Sequence, residues 1–236
     1  MFAVHFAEYC ATHKNVKVLF VDIDGQGNSS SYFINRRAAL GEGAFLLFGQ
    51  EQPPEIVEVK QNLFLIPSDK KLNDVESLPM ESIINFKTQI KEISTGFDIV
   101  IIDTPPSQGR RLVAALASSH AIVTPLGLDR SSFEGLTDLL NDINAIRTKL
   151  NHELKHIGIL VNRYKPANKT QKSNLAKLKE MLGDRVLSTV LEDRSPVGVA
   201  YDSGHPVWIK SSGESARKAG KEFMDACKLV YERVLL

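Results

Sequence analysis

Residues 18–30 read VLFVDIDGQGNSS, an apolar run that is followed by two acids and two glycines. The β-branched, apolar part predicts a buried strand. Asp22 and Asp24 stand two residues apart, and alternation along a strand points both side chains to one face. Gly25 and Gly27 then let the chain turn sharply. The stretch therefore predicts a strand with acids at its carboxyl end, which is where open α/β sheets place their chemistry.

A second apolar run with an acidic end lies at residues 97–107, FDIVIIDTPPS. It ends at Asp103, and the two prolines after Thr104 fix the turn that follows. An apolar strand that ends in aspartate is how a P-loop enzyme presents a carboxylate to hydrated Mg²⁺. Aspartate at a strand end is also a common helix cap or turn residue, so this run alone leaves both interpretations open. Asp98, at the start of the run, is predicted to make a local hydrogen bond.

Strand-like and helix-like stretches alternate along the chain. Predicted strands cover residues 16–23, 63–66, 97–102, 121–125, 156–161 and 186–191. Predicted helices carry four apolar stripes, which are Ile83, Ile84, Phe86, Ile90 and Ile93; Leu136, Leu139, Leu140, Ile143 and Ile146; Leu175, Leu178 and Leu182; and Ala216, Ala219, Phe223, Ala226 and Val230. Residues 49–60 are predicted to form a polar surface connection. The alternation predicts one domain over residues 1–236, with an α/β, doubly wound, mostly parallel sheet and helices on both faces.

Composition excludes several classes of protein. Of 236 residues, 43% are hydrophobic and 24% are charged, and 29 basic against 28 acidic residues leave a formal net charge of +1. That balance is not typical of a protein that coats nucleic acid or an anionic membrane, so any basic surface must be local. No apolar run approaches the roughly 20 residues of a membrane helix, which predicts a cytoplasmic protein with no membrane partner. Cys10 and Cys227 are predicted to be buried, reduced thiols.

Five ordered stretches resemble the ParA/MinD/Soj family of deviant-Walker P-loop ATPases. Residues 18–28 and 97–107 resemble the family's VLLIDLDPQGN and YDYIIIDTPPS. The other three stretches are AIVTPLGLDRSSFEGL at 121–136, ILVNRY at 159–164 and VLEDRSPVGVAYDSGHPV at 190–207. They are similar to the family's segment after the second acidic strand, its adenine-recognising segment and its base-covering loop. The resemblance implies a P-loop NTPase-like fold for the chain from Val16 onward.

The resemblance implies roles for the three acids. Asp24 would orient the attacking water and is the catalytic candidate. Asp22 would lie near Mg²⁺ and the dimer contact, and Asp103 would hold Mg²⁺ through a water, so these two are the metal candidates. Gly25 stands where the family usually has a proline, which loosens the turn after Asp24.

The resemblance also implies a set of base-binding residues. Asn162 would hydrogen-bond adenine, since an amide both donates and accepts, and Arg163 would lie beside it. The segment from Asp193 to Pro196 would line the base. Glu192 stands where a proline is common in the family. Outside this context, Asn162 would be interpreted as a turn or cap residue.

The family's phosphate-binding loop, KGGVGKT/S, has no counterpart in this sequence, whose first glycine is Gly25. MFAVHFAEYCA, at residues 1–11, takes the position of the helix that follows the loop, so by resemblance one strand and the loop are missing. Three explanations are open: the protein begins upstream of Met1, a natural truncation folds with a rearranged edge and no ATPase activity, or another chain supplies the loop. Loss of a central strand would leave backbone groups unpaired, which favours the first explanation.

The resemblance implies an ATP-dependent dimerisation switch for plasmid or chromosome partition. Its cofactors would be ATP and Mg²⁺, and its partners a second copy of the chain, non-specific DNA and a centromere-binding protein that stimulates hydrolysis. The candidate DNA contacts are Arg110, Arg111, Lys165, Lys169, Lys172, Lys177, Lys179, Arg217, Lys218 and Lys221. Without a P-loop, the chain as written is predicted to be inactive as an ATP hydrolase. The alternative is a truncated or pseudo-ATPase that acts as a non-catalytic binding or dimerisation module.

Overall fold

The computed structural model describes residues 1–34, 43–50, 52–209 and 212–235, except for the side chain of Ser131. The described chain divides into two compact units, one containing Ala3–Ser119 and one containing His120–Leu236. Each unit has a sheet of its own. A single domain over residues 1–236 therefore stays a prediction.

The first unit is built on a four-stranded sheet. Its helices are α1 (Phe2–His13), α2 (Asn28–Phe33), α3 (Glu81–Ser94) and α4 (Arg110–Ser118), and its strands are β1 (Val18–Asp22), β2 (Val57–Lys60), β3 (Leu63–Ile66) and β4 (Ile99–Asp103). Short 3-10 helices cover Ala44–Phe48 and Lys70–Ser77. The strand order is β2-β3-β1-β4, and β1 is parallel to both β3 and β4. All five residues of β1 are buried, as its continuous apolar sequence predicts.

An aromatic and aliphatic core packs against this sheet. Helix α3 buries Ile83, Phe86 and Ile90, and the ring centroids of Phe48 and Phe86 lie 4.7 Å apart. The prediction that Ile84 belongs to this buried stripe is wrong, because its side chain is 65% exposed. Consecutive helical residues point about 100° apart, so Ile84 turns away from the face that Ile83 occupies.

Strand β2 corrects the prediction that residues 49–60 form a surface connection. Val57–Lys60 pairs antiparallel with β3, and Val57 lies opposite Leu65. Its side chains alternate between half-buried and exposed, as in an edge strand with one solvated face. The alternation of apolar and charged residues in VEVK is a strand signal that the polar composition of the segment obscured. Glu51, within the predicted connection, lies outside the described residues.

The second unit is built on a three-stranded parallel sheet with the order β5-β6-β7. Its strands are β5 (Ala121–Leu126), β6 (Lys155–Tyr164) and β7 (Val186–Glu192), and its helices are α5 (Arg130–Lys149), α6 (Lys169–Leu182), α7 (Ser195–Asp202) and α8 (Glu214–Leu235). A 3-10 turn covers Gly183–Arg185. The predicted apolar face of α8, from Ala216 to Val230, is buried, and α8 packs against β7.

The fold class is the predicted one, an α/β architecture with mostly parallel sheets flanked by helices. All six predicted strands are present, with ends shifted by three residues or fewer. Cys10 and Cys227 are both buried, as predicted. No helix in the described part of the chain is long and apolar enough to cross a membrane.

Candidate functional site

The acids at the ends of β1 and β4 meet at one edge of the first unit's sheet. Asp22 and Asp103 are register partners on these two parallel strands. The pairing continues one residue further, because the Ile23 N–H donates to the Asp103 carbonyl oxygen at 3.0 Å. Neighbouring parallel strands end at the same edge of a sheet, so the two acidic runs of the sequence form one cluster.

Asp22 is the hydrogen-bonding centre of this cluster. It is fully buried, and its Oδ2 accepts hydrogen bonds from the Ser30 N–H at 2.8 Å and the Ser30 hydroxyl at 2.7 Å. Its Oδ1 accepts from the Asp24 N–H at 3.1 Å. Burial raises the pKa of Asp22 to about 6; the Ser30 hydrogen bonds oppose this rise, and the negative charge of Asp103 adds to it. Asp22 thus organises the turn after β1 with both carboxylate oxygens engaged.

Asp103 is held by the helix that follows this turn. The Ser29 hydroxyl donates to Asp103 Oδ2 at 2.5 Å. Burial raises the pKa of Asp103, the hydrogen bond from Ser29 opposes the rise, and the charge of Asp24 adds to it. Helix α2 begins directly after Gly27, which has a left-handed φ of 62° that glycine adopts at little cost. The glycine turn therefore places two consecutive serines against the two acids.

Asp24 lies in the turn and not on the strand. Because β1 ends at Asp22, the alternation rule does not set the direction of Asp24. Its Oδ1 accepts from the Gln26 N–H at 3.0 Å, and its carbonyl oxygen accepts from the Gly27 N–H at 2.9 Å. The Ser68 hydroxyl, just after β3, donates to the same carbonyl at 2.5 Å. The position of Asp24 is therefore fixed by turn hydrogen bonds and by the neighbouring strand.

Glu76 fixes the loop that follows Asp103. Its carboxylate accepts from the Arg110 N–H at 2.7 Å, at the N-terminus of α4, and from Arg111 Nε at 3.0 Å. The Arg110 side chain also donates to the Glu76 carbonyl. Burial acts to raise the pKa of Glu76, but the hydrogen bonds from these arginines prevail and lower it. Gly109 permits the approach, because a Cβ there would lie 2.4 Å from Glu76 Oε2.

The donors in this cluster suit Mg²⁺ better than a metal that needs a complete protein cage. Within the described ranges, no group of three or more His, Cys, Asp or Glu side chains is placed to hold a metal ion. Mg²⁺ keeps several waters and takes one or two carboxylates, with phosphates completing its shell. Asp103 fits as such a carboxylate, since its hydrogen bond with Ser29 uses one oxygen. Asp22 fits less well, because both of its oxygens are engaged.

In the second unit, Asn162 and Arg163 lie at the carboxyl end of β6. The pairing of β6 with β7 shifts register between Val161 and Tyr164, so the two residues lie in a bulge. Arg163 has a φ of 55°, a left-handed conformation that costs a non-glycine residue on the order of 1–2 kcal/mol. Such strain clusters at functional sites, which makes this bulge a candidate binding position.

The loop after β7 lies beside this bulge. The Asp193 N–H donates to the Tyr164 carbonyl at 2.9 Å, and the Asp193 carboxylate pairs with Lys165 Nζ at 3.2 Å. Pro196 lies in the first turn of α7, where a missing N–H costs nothing. The structure thus places the four predicted base-binding residues at the ends of two adjoining strands of the second unit. The three acids belong to the first unit.

Comparison with known proteins assigns the chain to a family. A family model described as an AAA domain (AAA_31) matches residues 2–156, more than half of the chain. The chain is 27% identical over 204 residues to the sporulation initiation inhibitor protein Soj of Bacillus subtilis, which covers 84% of this chain and 81% of that protein. The chain belongs to the ParA/MinD/Soj family.

Two further similarities extend over most of this ParA/MinD/Soj chain. It is 29% identical to protein IncC of Escherichia coli over 94% of its own length, but spans 62% of that protein. The structure of a putative plasmid partition protein from Borrelia burgdorferi bound to AMPPNP matches with a TM-score of 0.75 at 25% identity. That match covers 98% of this chain and 92% of the Borrelia protein.

Two of the ten candidate DNA contacts of this family member are corrected by the structure. Arg111 is buried, at 7% exposure, and Arg110 is half-buried, because both bind Glu76 at the start of α4. Eight candidates are exposed, namely Lys165, Lys169, Lys172, Lys177, Lys179, Arg217, Lys218 and Lys221. Three of these form ion pairs with nearby acids, namely Lys165, Lys218 and Lys221. The most continuous exposed basic surface is therefore that of α6.

The sequence interpretation missed the residues that hold the acids in place. Ser29 and Ser30 follow a glycine turn after a strand and lie in the first turn of α2, so the glycine–serine order was the available sequence signal. No sequence pattern near Glu76 indicates its role, since its partner Arg110 is 34 residues away. The prediction of a local hydrogen bond at Asp98 is wrong, because its Oδ2 accepts from the Lys17 N–H, 81 residues away, at 2.7 Å.

Proposed function

We propose that this chain acts as a ParA-like partition protein whose assembly state is set by Mg²⁺ and an adenine nucleotide. The observation that carries the proposal is the cluster of Asp22, Asp24 and Asp103 at the carboxyl ends of two neighbouring parallel strands. Family membership supports it, as does the similarity to a putative plasmid partition protein bound to AMPPNP.

Each acid has a role in this proposal. Asp103 would hold Mg²⁺, and Asp24 would orient a water near it. Asp22 would act indirectly, because its three hydrogen bonds keep the turn in place. When bound, Mg²⁺ would supply the positive charge that offsets the nucleotide phosphates. The base would be bound by Asn162, Arg163, Asp193 and Pro196.

The phosphate-binding part of a P-loop site has no counterpart in this sequence. No G-x-x-x-x-G-K-[ST] motif occurs in residues 1–236, so the lysine and backbone N–H groups that cradle phosphates are not provided by these residues. The residues present support binding of a base and of Mg²⁺.

Dimerisation and DNA binding complete the proposal. Lys169, Lys172 and Lys179 are exposed on α6 at spacings of three and seven, which places them on one face of the helix. Clustered lysines bind DNA phosphates without sequence preference. The further partners would be a second copy of the chain and a centromere-binding protein, in the cytoplasm.

Nucleotide-dependent assembly tests this proposal. The mass of the purified chain is measured by size-exclusion chromatography with light scattering, with and without Mg-ATP, and phosphate release is followed in parallel. We expect Mg-ATP to shift the chain from monomer to dimer, and Asp103→Asn to abolish the dependence on Mg²⁺. Asp74→Asn, at an exposed aspartate outside the cluster, is the matched control. Absence of any Mg-ATP binding would overturn the proposal.

The engagement of both Asp22 carboxylate oxygens by hydrogen bonds within the protein favours a second candidate function, a non-catalytic binding or dimerisation module. A module of this kind would form the same dimer with and without Mg-ATP and would release no phosphate. The light-scattering measurement above therefore separates the two candidates.

A further inference from the structure

Three side chains in the second unit tie α8 to the loop that follows β7. Glu222 Oε2 accepts a hydrogen bond from the Glu192 N–H at 3.0 Å. Glu222 Oε1 accepts from Arg194 Nε at 3.1 Å and from Arg194 Nη2 at 2.9 Å. Arg194 Nη2 also donates to Glu192 Oε2 at 2.6 Å. One carboxylate on α8 thus holds the residues on both sides of Asp193.

This network is sheltered from solvent. The side chains of Arg194 and Glu222 are 18% and 20% exposed, and that of Glu192 is 32% exposed. The hydrogen bonds from Arg194 to Glu222 raise the pKa of the guanidinium group. Charge-assisted hydrogen bonds are shorter and stronger than neutral ones, and partial burial strengthens them further. The network is therefore able to fix a loop.

The other ion pairs on α8 are of a different kind. Lys221 with Asp225 is a pair between helix neighbours with both side chains at least half exposed, at 79% and 50%. Pairs of this type contribute little to stability. Glu222 is distinguished from them because its partners lie on another element, 28 and 30 residues away.

We propose that Glu222 is a positioning residue that sets the conformation of the base-contacting loop, residues 192–196, and thereby the selectivity of the site for adenine. This inference rests on the proposed function, which assigns Asp193 and Pro196 to the base. Asp193 lies between the two residues that Glu222 holds, so the backbone on both sides of Asp193 is fixed by that contact. Pro196 follows two residues after Arg194.

The contact depends on the residue at position 192. The hydrogen bond from this position to Glu222 requires a backbone N–H, which every residue except proline has. Glu192 supplies that N–H and also the second carboxylate that binds Arg194. The part of α8 that carries Glu222 is held in place, because the neighbouring residues Phe223 and Ala226 are buried.

Two variants remove the contact in different ways. Glu222→Gln keeps the shape of the side chain but replaces one carboxylate oxygen with an NH₂ group, which is a donor. The single oxygen that remains cannot accept from both Arg194 and the Glu192 N–H. Arg194→Lys keeps the positive charge but loses the planar guanidinium group, which reaches the carboxylates of both Glu192 and Glu222. Asp225→Asn removes the exposed ion pair with Lys221 on the same helix and is the matched control.

Two measurements are made on the full chain. The first is amide hydrogen exchange over residues 190–197 in the protein without nucleotide. The second is the ratio of the dissociation constants for Mg-ATP and Mg-GTP. In Glu222→Gln and Arg194→Lys we expect loop exchange to rise, and the preference for ATP to fall, by about tenfold each. Asp225→Asn should match the wild type in both, and the thermal midpoint should stay within a few degrees in all variants.

The outcomes separate the inference from the proposed function. Unchanged loop exchange in Glu222→Gln would overturn the positioning role. Raised exchange with an unchanged ATP-to-GTP ratio would overturn the link to base selectivity. If the wild-type chain binds neither nucleotide, the proposed function fails, the selectivity claim fails with it, and the exchange data alone decide whether Glu222 holds the loop.

Discussion

Ser30 donates two hydrogen bonds to one carboxylate oxygen of Asp22, from its N–H at 2.8 Å and from its hydroxyl at 2.7 Å. The same hydroxyl accepts from the Ser68 N–H at 2.8 Å, so it joins the end of β1 to the segment after β3. Ionised carboxylates are costly to bury without donors. Ser30 is therefore a principal group that stabilises the charged form of Asp22 inside the protein.

Ser30→Ala should destabilise the first unit. The change removes a donor to Asp22 and the acceptor of the Ser68 N–H, and a buried group left unsatisfied costs about 1–3 kcal/mol. The free energy of unfolding in urea measures the loss. Ser118→Ala is the control, since the Ser118 hydroxyl donates to the Ala114 carbonyl one turn back in α4 of the same unit. Equal losses in the two variants would contradict the role assigned to Ser30.

Arg163→Gly should stabilise the protein. Glycine adopts a φ of 55° without the cost that a side chain brings, and its greater entropy in the unfolded chain offsets part of the gain. We expect a net increase of about 0.5–1 kcal/mol in the free energy of unfolding. Arg163→Ala keeps the strain and serves as the control, with no such increase. A stabilisation equal in both variants would show that the backbone conformation is not the cause.

Acid should destabilise the second unit through His156. Its Nε2 lies 3.1 Å from the Thr124 hydroxyl, and burial, with a smaller effect of the Arg185 charge, lowers its pKa below the usual 6.5. The unfolded chain then binds this proton more readily than the folded one. The free energy of unfolding therefore falls as the pH drops through 6.5 and levels off below the lowered pKa.

His156→Gln should remove this part of the pH dependence. Urea unfolding between about pH 5 and pH 8, where histidine titrates, measures the effect. His152→Gln, at an exposed position, is the control. A pH profile of His156→Gln that is parallel to the wild-type profile would contradict the role of His156.

The lysines of α6 should govern the salt dependence of DNA binding. If Lys172 and Lys179 bind phosphates, the double change to glutamine should make the slope of log affinity against log salt shallower by about 0.9 for each phosphate that is no longer neutralised. Fluorescence anisotropy with a labelled duplex at several salt concentrations gives the slope. Lys91→Gln, on α3 of the first unit, is the control. An unchanged slope in the double variant would remove α6 from the proposed DNA surface.

Much of the fold was predictable because its strands are short apolar runs with clear ends. Strand β3 was predicted with its observed bounds, since LFLI is closed by Pro67. Strand β2 was missed, because a solvated edge strand of alternating residues has the composition of a loop. Ile84 was misplaced because a stripe inferred from spacing does not say where the buried face of a helix ends.

Local sequence was sufficient to predict the two apolar strands that end in acids and the order of the motifs that resemble the family. The packed fold was needed to show that Asp22 and Asp103 are register partners, that Arg111 is buried, and that Glu222 holds the loop after β7. The difference lies in the range of the interactions. Local pattern sets a strand or a turn, whereas these interactions join residues 28 or more positions apart and exist only once the elements have packed.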